Sequence, residues 1–197
     1  MAGRTGEVHR MTGETEVKVT FRLLGSGSFE GDTGLPFFNH MLELFTRHGM
    51  FDLTVYAQGD LEVDGHHTVE DIGITMGQAL EHALGDKQSI NRYGSALVPM
   101  DEALVQVALD LSGRPYLSCQ VKCPTPRVGE FDVELVEEFL KALANNAGIT
   151  LHVAMLAGRN THHIIEAVFK ALGRALRQAV EIDPRGEGVP STKGILV

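Results

Sequence analysis

Two copies of the motif His-His-x-x-Glu contain the residues of this chain that are best suited to chemistry. Each copy offers two imidazoles and one carboxylate at the same spacing. The members are His66, His67 and Glu70 in the first copy and His162, His163 and Glu166 in the second. Mixed nitrogen and oxygen ligands without thiolates are typical of metal sites that keep positions open for catalysis. The motifs therefore predict catalytic metal binding.

Helical geometry indicates how each motif divides its ligands. Residues four apart on a helix share a face, whereas adjacent residues point about 100° apart. The first histidine and the glutamate of each motif are therefore expected to bind one divalent ion together. The second histidine points away from that ion, and we expect it to reach the ion of the opposite motif. This arrangement predicts two ions bridged by the repeat.

Other histidines are candidates for completing these sites. His40 and His152 lie beside the repeated units, and we predict that each supplies the third imidazole of one site, although the two do not align in the repeat. His48 precedes Gly49 in a predicted turn. There it either caps a helix or contacts the substrate and takes part in catalysis.

The two motifs open segments that align without gaps, residues 66 to 84 on residues 162 to 180. Both segments carry apolar residues at helical spacing, such as Val69, Ile72 and Met76 in the first, which predicts amphipathic helices. Gly85 follows the first segment and Asp183-Pro184 follows the second, and both are typical stop signals. The match indicates an internal duplication.

The repeat extends upstream of each helix. A short helix, a glycine and an apolar strand occur in both copies, and Gly49 and Gly148 are expected to mark the same turn. Alternating or β-forming residues in 17–23, 104–111 and 116–121 predict further strands. We therefore predict an α+β fold of two pseudo-symmetric halves, residues 1–90 and 91–197, packed as one compact body. Each half is expected to place helices on one face of a small, mostly antiparallel sheet.

Charge and composition exclude several kinds of partner. The net charge is -9, whereas nucleic acids and anionic membranes require clustered cationic residues. The first residues lack an apolar targeting region, and no run approaches the roughly 20 apolar residues that span a bilayer. We expect a cytoplasmic protein that binds a small molecule and neither nucleic acid nor membrane. Cys119 and Cys123 are expected to be reduced structural thiols.

A set of longer motifs accompanies the histidines. They are PFFNHML (36–42), DGHHTVEDI (64–72), INRYG (90–94), MDEAL (100–104), DLSGRPY (110–116), THHIIEAVFKALGRALRQA (161–179) and DPR...VPSTKG (183–194). In this order and over essentially the whole length, they resemble the imidazoleglycerol-phosphate dehydratases of histidine biosynthesis. The family usually shows Asp where Asn39 precedes His40, which puts in doubt the support of His40 by a neighbouring carboxylate.

The resemblance implies a carbon-oxygen lyase that dehydrates D-erythro-imidazole glycerol phosphate to imidazole acetol phosphate in L-histidine biosynthesis. It implies the ribosomal protein S5 domain 2-like fold and two Mn²⁺ ions per active site. It also implies a homo-oligomer, a 24-mer with active sites at subunit contacts.

The resemblance further implies roles for single residues. Proton transfer falls to Glu7 together with Glu166. Phosphate binding falls to Arg92, Arg114, Lys170, Ser191 and Lys193. Thr192 belongs to the same terminal segment, which is a candidate lid that orders on the phosphate. Glu7 and His48 are also expected to contact the substrate.

The chemistry of the dehydration explains why two ions are expected. The proton at C2 of the substrate is not next to a carbonyl, so its removal needs another electron sink. If both nitrogens of the substrate's imidazole bind metal, the ring is held as imidazolate and can expel the C3 hydroxyl through a diazafulvene-like intermediate. Loss of the C2 proton then becomes feasible.

Two other functions fit the motifs less well. A dinuclear metallohydrolase such as a phosphatase would use two ions to activate water, but such sites favour aspartates and bridging carboxylates. A metal-storage or scaffolding protein would bind ions without turnover, which leaves the basic residues near the helices and in the tail without a purpose. Formation of imidazole acetol phosphate would separate all three functions.

Overall fold

The structure, a computed structural model, describes residues 4–196. Its first half follows the order strand, strand, strand, helix, strand, helix. These elements are β1 (Thr5–Met11), β2 (Thr15–Arg22), β3 (Ser28–Asp32), α1 (Pro36–Gly49), β4 (Asp52–Gly59) and α2 (His66–Leu84). The second half repeats this order and inserts a short hairpin before its first helix. Its elements are β5 (Tyr93–Met100), β6 (Ala103–Asp110), β7 (Tyr116–Gln120), β8 (Arg127–Val128), β9 (Phe131–Asp132), α3 (Leu135–Ala147), β10 (Thr150–Ala157) and α4 (Thr161–Val180).

Two four-stranded sheets carry the repeat. Their strand orders are β1-β2-β4-β3 and β5-β6-β10-β7, so the two sheets have the same topology. In each sheet the last pair of strands, β3 with β4 and β7 with β10, is parallel, and the other pairs are antiparallel. The predicted α+β fold with two mostly antiparallel sheets is therefore confirmed.

The long helices lie on one face of each sheet. Helix α2 packs on β1 and β2, and α4 packs on β5 and β6. Gly6 and Gly94 allow the close approach, because a Cβ at either position would collide with a helix carbonyl, that of Ala79 or Ala175. The same glycine beneath the same helical residue in both halves is structural evidence of the duplication.

Contacts between helices of different halves join the two sheets. Helix α1 packs against α4, and α2 packs against α3. Phe38 of α1 meets Phe139 of α3 edge-on at 5.1 Å between ring centroids, and Phe169 of α4 at 6.2 Å. One buried apolar cluster therefore runs through all four helices.

The turn after α1 differs from the sequence prediction. Gly148 is the left-handed C-cap of α3, but the left-handed C-cap of α1 is Met50, and Gly49 is the last helical residue. The amide of Phe51 donates to Thr46 as that of Ile149 donates to Ala144, so Met50 is the structural counterpart of Gly148. The expectation that Gly49 and Gly148 are equivalent was wrong by one residue. In this register, Glu138 is the counterpart of His40.

The ends of the long helices agree with the predicted stop signals. Helix α2 ends at Leu84, directly before Gly85, and α4 ends at Val180, shortly before Asp183-Pro184. Within residues 4–196, no helix combines the length and apolar character that crossing a membrane requires.

Candidate metal centre

Three predicted ligands, one from the first half and two from the second, come together between α1 and α4. The Nε2 atoms of His40 and His162 lie 3.0 and 3.1 Å from the same oxygen, Oε1 of Glu166. Their ligand atoms all lie within 4.8 Å of one another. His162 and Glu166 share a helical face, as the spacing predicts, and the packing of α1 on α4 adds His40. Both imidazoles are partly exposed, which leaves the group open to a ligand.

The Glu166 carboxylate is buried and bridges two kinds of partner. Its Oε1 faces the histidines, while its Oε2 accepts a hydrogen bond of 2.7 Å from Lys170 Nζ. Burial opposes ionisation of Glu166, but the hydrogen bonds from Lys170, His40 and His162 outweigh it and lower its pKa to about 2. Glu166 is therefore a carboxylate at neutral pH, as a metal ligand must be.

The start of α4 is fixed by a capping side chain. Asn160 Oδ1 accepts hydrogen bonds from the backbone amides of His162 and His163, at 3.0 and 3.4 Å. This N-cap satisfies amides that the helix leaves free. The edge of the Phe37 ring also packs on the His162 imidazole, 5.2 Å between centroids. These contacts hold the second motif in place.

The second histidine of each motif contacts a carboxylate outside the motif. His67 Nδ1 lies 3.0 Å from Asp60 and 3.7 Å from Glu14. His163 Nδ1 lies 2.8 Å from Glu102. The hydrogen bonds to Asp60 and Glu102 raise the pKa of His67 and His163, and the bond from His163 lowers the pKa of Glu102 to about 2.

The first motif is not assembled in the same way. His66 and Glu70 are partly exposed in the first turns of α2, and the backbone amide of His66 donates to Asp64. Across the described residues, the group of His40, His162 and Glu166 is the one place where three such ligands converge. On α3, the counterpart of His40 is Glu138, which pairs with Lys141 at 3.4 Å.

His152 and Glu7 lie on the sheet faces that point away from the helices. On β10 the neighbours Leu151 and Val153 are buried, while His152 is exposed and packs beside Tyr116 at 5.5 Å between ring centroids. On β1, Gly6 faces α2 and Glu7 is exposed on the other side. The structure therefore does not bring either residue to the motif histidines of its own chain.

His48 occupies the last turn of α1, beside α4. It lines a cavity of about 390 Å³ together with Arg174 and Arg177. Burial is the main cause that lowers the pKa of His48, and the charges of Lys170 and Arg174 act in the same direction. His48 therefore favours the neutral imidazole at neutral pH, with one nitrogen that donates and one that accepts a hydrogen bond.

Most of the predicted phosphate ligands line one cavity. Its volume is about 840 Å³, and its lining includes Arg92, Arg114, Ser191, Thr192 and Lys193. Arg92 holds the terminal segment in place, because it donates to the carbonyl of Pro190 at 2.9 Å and to both oxygens of Asp110. Lys170 lies elsewhere, between Glu166 and the sulfur of Met100.

Asn39 does not support His40. Its Oδ1 accepts from the amide and hydroxyl of Thr33, and its Nδ2 donates to Asp32. An aspartate at position 39 would face the carboxylate of Asp32, whereas the amide suits both neighbours. The departure from the family pattern at this position therefore changes the turn before α1 rather than the metal centre.

Sequence reasoning missed three acidic residues of the site, Glu14, Asp60 and Glu102. Glu14 and Glu102 each precede the first residue of the second strand of a hairpin, β2 or β6. Continuing the repeat alignment into these hairpins would have paired the two glutamates. Asp60 follows β4 directly, and nothing in the repeat marked it, because Gly158 stands at the matching position after β10.

Fold and site together define an α+β protein with an internal duplication and a histidine-glutamate group of metal-binding type at the start of α4. Comparisons with known proteins identify the family within this class. The family model described as "Imidazoleglycerol-phosphate dehydratase" matches residues 33–176. The chain belongs to the imidazoleglycerol-phosphate dehydratase family, whose members are hydro-lyases of histidine biosynthesis.

Relatives match over nearly the full length. An imidazoleglycerol-phosphate dehydratase of Moorella thermoacetica is 62% identical, with 98% of each chain covered. One from Desulforamulus reducens is 60% identical, with 100% of each chain covered. The crystal structure of the Staphylococcus aureus enzyme has a TM-score of 0.82 at 42% identity and covers 91% of this chain and 99% of its own. The Pyrococcus furiosus enzyme, crystallised with (S)-C348, has a TM-score of 0.83 at 39% identity and covers 96% and 100%.

Proposed function

We propose that this lyase dehydrates D-erythro-imidazole glycerol phosphate to imidazole acetol phosphate with two divalent metal ions, Mn²⁺ by family resemblance, in each active site. The convergence of His40, His162 and Glu166 is the observation that carries the proposal. The donors are two imidazole nitrogens and one ionised carboxylate oxygen, a set that suits a first-row divalent cation and leaves coordination positions free.

The second ion is assigned to His66, Glu70 and further histidines. The second histidine of each motif is assigned to the ion of the opposite motif, so His163 joins the second ion and His67 joins the ion at Glu166. His152 supplies the third imidazole of the second ion. Because His152 and Glu7 lie on the outer sheet faces, we propose that a neighbouring copy of the chain delivers them to the motif histidines. A homo-oligomer, a 24-mer by resemblance, with active sites at subunit contacts would bring these surfaces together.

When bound, the ions would supply Lewis acidity to the substrate's imidazole ring, which would let the ring act as an electron sink. The residues of the chain then have to orient the substrate and move protons. Glu7, implied by resemblance, and Glu14, which lies 3.7 Å from His67, are the candidates for the group that takes the C2 proton. Neutral His48 is the candidate for a hydrogen bond to the departing C3 hydroxyl.

The phosphate is assigned to the cavity that contains Arg92, Arg114 and the terminal segment. Guanidinium groups bind phosphate in a two-pronged geometry, and the hydroxyls of Ser191 and Thr192 and the ammonium of Lys193 line the same cavity. Lys170 is a phosphate ligand by resemblance, and this role requires it to leave Glu166 when substrate binds. The terminal segment would then close over the phosphate as a lid.

Three broader assignments accompany this function. We propose that the chain divides at residues 90 and 91 into two halves that form one compact body, since the two sheets share helix contacts. The terminal segment belongs to the second half. We also propose that the enzyme acts in the cytoplasm and binds neither nucleic acid nor membrane, in line with its net charge of -9.

Metal titration of the stripped protein tests the dinuclear mechanism. The apoprotein is titrated with Mn²⁺, and formation of imidazole acetol phosphate is followed at each addition. Two equivalents per active site should be needed for full activity. Full activity at one equivalent, or activity untouched by complete chelation, contradicts the mechanism. Release of inorganic phosphate instead of the dehydrated product would favour the hydrolase.

A further inference from the structure

The histidines His67 and His163 occupy the same position of the repeat and share one feature. In each, Nδ1 lies against a carboxylate, Asp60 at 3.0 Å or Glu102 at 2.8 Å. A histidine that donates Nδ1-H to a carboxylate has its Nε2 free as an acceptor. Histidines that bind metal commonly have such a partner, which fixes the tautomer and the ring orientation.

The two carboxylates come from different places in the repeat. Glu102 ends the turn between β5 and β6, where Glu14 is its counterpart between β1 and β2. Asp60 starts the loop between β4 and α2, and its counterpart after β10 is Gly158. The carboxylate nearest to Nδ1 of the second histidine therefore comes from the loop before the helix in the first half and from the hairpin in the second half.

Hydrogen bonds and exposure distinguish Asp60 and Glu102, which contact the histidines closely, from Glu14. Glu102 is held by the backbone amides of Asn160 at 2.7 Å and Arg159 at 3.2 Å, in addition to His163. The Glu14 side chain is 57% exposed, against 25% for Glu102 and 21% for Asp60. Oδ1 of Asp60 is buried without a hydrogen-bond partner among residues 4–196, a costly arrangement that argues for a role of its carboxylate.

We propose that Asp60 and Glu102 are positioning residues that hold the Nδ1 protons of His67 and His163 and thereby present both Nε2 atoms to the metal ions. The inference rests on the proposed dinuclear function. In the first half, Asp60 accepts the hydrogen bond from Nδ1 of the second histidine, as Glu102 does in the second half. Glu14, the counterpart of Glu102, does not have this role. This glutamate lies beside His67, where a proton-transfer group for the substrate is needed.

The variants Asp60→Asn and Glu102→Gln test this inference in two measurements. Histidine ¹⁵N NMR of the metal-free protein should find His67 and His163 protonated at Nδ1, and each variant should move its own histidine towards the Nε2-H form. Mn²⁺ titration should show that each variant weakens binding by roughly 10- to 100-fold. Wild-type tautomers and wild-type Mn²⁺ affinity in both variants would overturn the inference.

Two control variants separate positioning from other effects. Glu14→Gln, at the counterpart of Glu102, should leave Mn²⁺ affinity and the His67 tautomer unchanged, as should Glu137→Gln on the exposed face of α3. His163→Ala distinguishes this inference from the proposed function. If His163→Ala binds Mn²⁺ as wild type does, the metal site itself is wrong. If His163→Ala loses Mn²⁺ while Glu102→Gln keeps it, the positioning role alone is wrong.

Discussion

The starts of α2 and α4 carry the same motif in different surroundings. At α4, His40 from α1 reaches Glu166, so three ligands already converge within one chain. At α2, the matching position on α3 holds Glu138, which pairs with Lys141 instead. The two halves therefore share the scaffold and the motif, whereas among residues 4–196 a third ligand converges on the motif only at the start of α4.

The two hairpins beneath these helices differ as well. In the first half, Asp71 of α2 accepts hydrogen bonds from Arg10 at 2.8 Å and from the hydroxyl of Thr15. The matching positions of the second half hold the buried apolar residues Val98, Ala103 and Ala167. The polar cluster ties the turn that carries Glu14 to α2. In the second half, the Glu102 carboxylate itself joins the turn to the start of α4, through the Asn160 amide and His163.

The largest effect is expected from removing Glu166. Glu166→Ala deletes a ligand and also leaves His40, His162 and Lys170 without their common partner. Mn²⁺ affinity should fall by more than about 100-fold, and dehydration should drop below detection. Glu70→Ala is the matched change in the first half and should abolish dehydration too. Normal Mn²⁺ binding in Glu166→Ala would exclude the assembled group as a metal centre.

The second-largest effect is expected on kcat, and it separates Glu14 from Glu7 as the group that takes the C2 proton. Glu14→Gln should lower kcat by about 10²- to 10⁴-fold with Mn²⁺ affinity kept, because it removes a base and no ligand. Glu7→Gln should act less strongly, since Glu14 lies 3.7 Å from His67 within the chain, whereas Glu7 can reach the motif histidines only from a neighbouring copy. Steady-state kinetics at saturating Mn²⁺ measures both. Collapse of turnover in Glu7→Gln with full activity in Glu14→Gln would reverse the assignment.

A smaller effect is expected at the terminal segment, which has no counterpart in the first half. Truncation after Pro190 removes Ser191, Thr192 and Lys193 from the cavity of Arg92 and Arg114. Loss of hydrogen bonds to a charged phosphate should raise KM by about 10- to 100-fold. Lys193→Ala alone should give part of this increase. Unchanged kinetics of the truncated enzyme would exclude a role of the terminal segment as a lid over the phosphate.

The smallest effect concerns the polar cluster of the first half. Asp71→Ala leaves Arg10 unpaired and should lower the free energy of unfolding by about 1–3 kcal/mol, as measured by urea denaturation. The triple variant Arg10→Val, Thr15→Ala, Asp71→Ala copies the second half and should be more stable than the single variant. A triple variant that is less stable than Asp71→Ala would contradict this comparison of the hairpins.

The sequence predicted the fold and the second motif's geometry because both depend on local periodicity. Helical spacing placed His162 with Glu166, and alternating residues placed β2 and β6. The convergence of His40 with α4 depends on packing between halves, which no local pattern records. The carboxylates Asp60 and Glu102 belong to loops, where a single residue of register decides which side chain reaches a histidine.

Anomalous diffraction from crystals of the full-length enzyme soaked with Mn²⁺ and a substrate analogue tests whether two ions bind one substrate ring. Two manganese peaks per active site are expected. One should lie at His40, His162 and Glu166, the other at His66 and Glu70, with opposite nitrogens of one imidazole ring between them. A single peak, or two peaks that the ring does not join, would contradict the dinuclear mechanism.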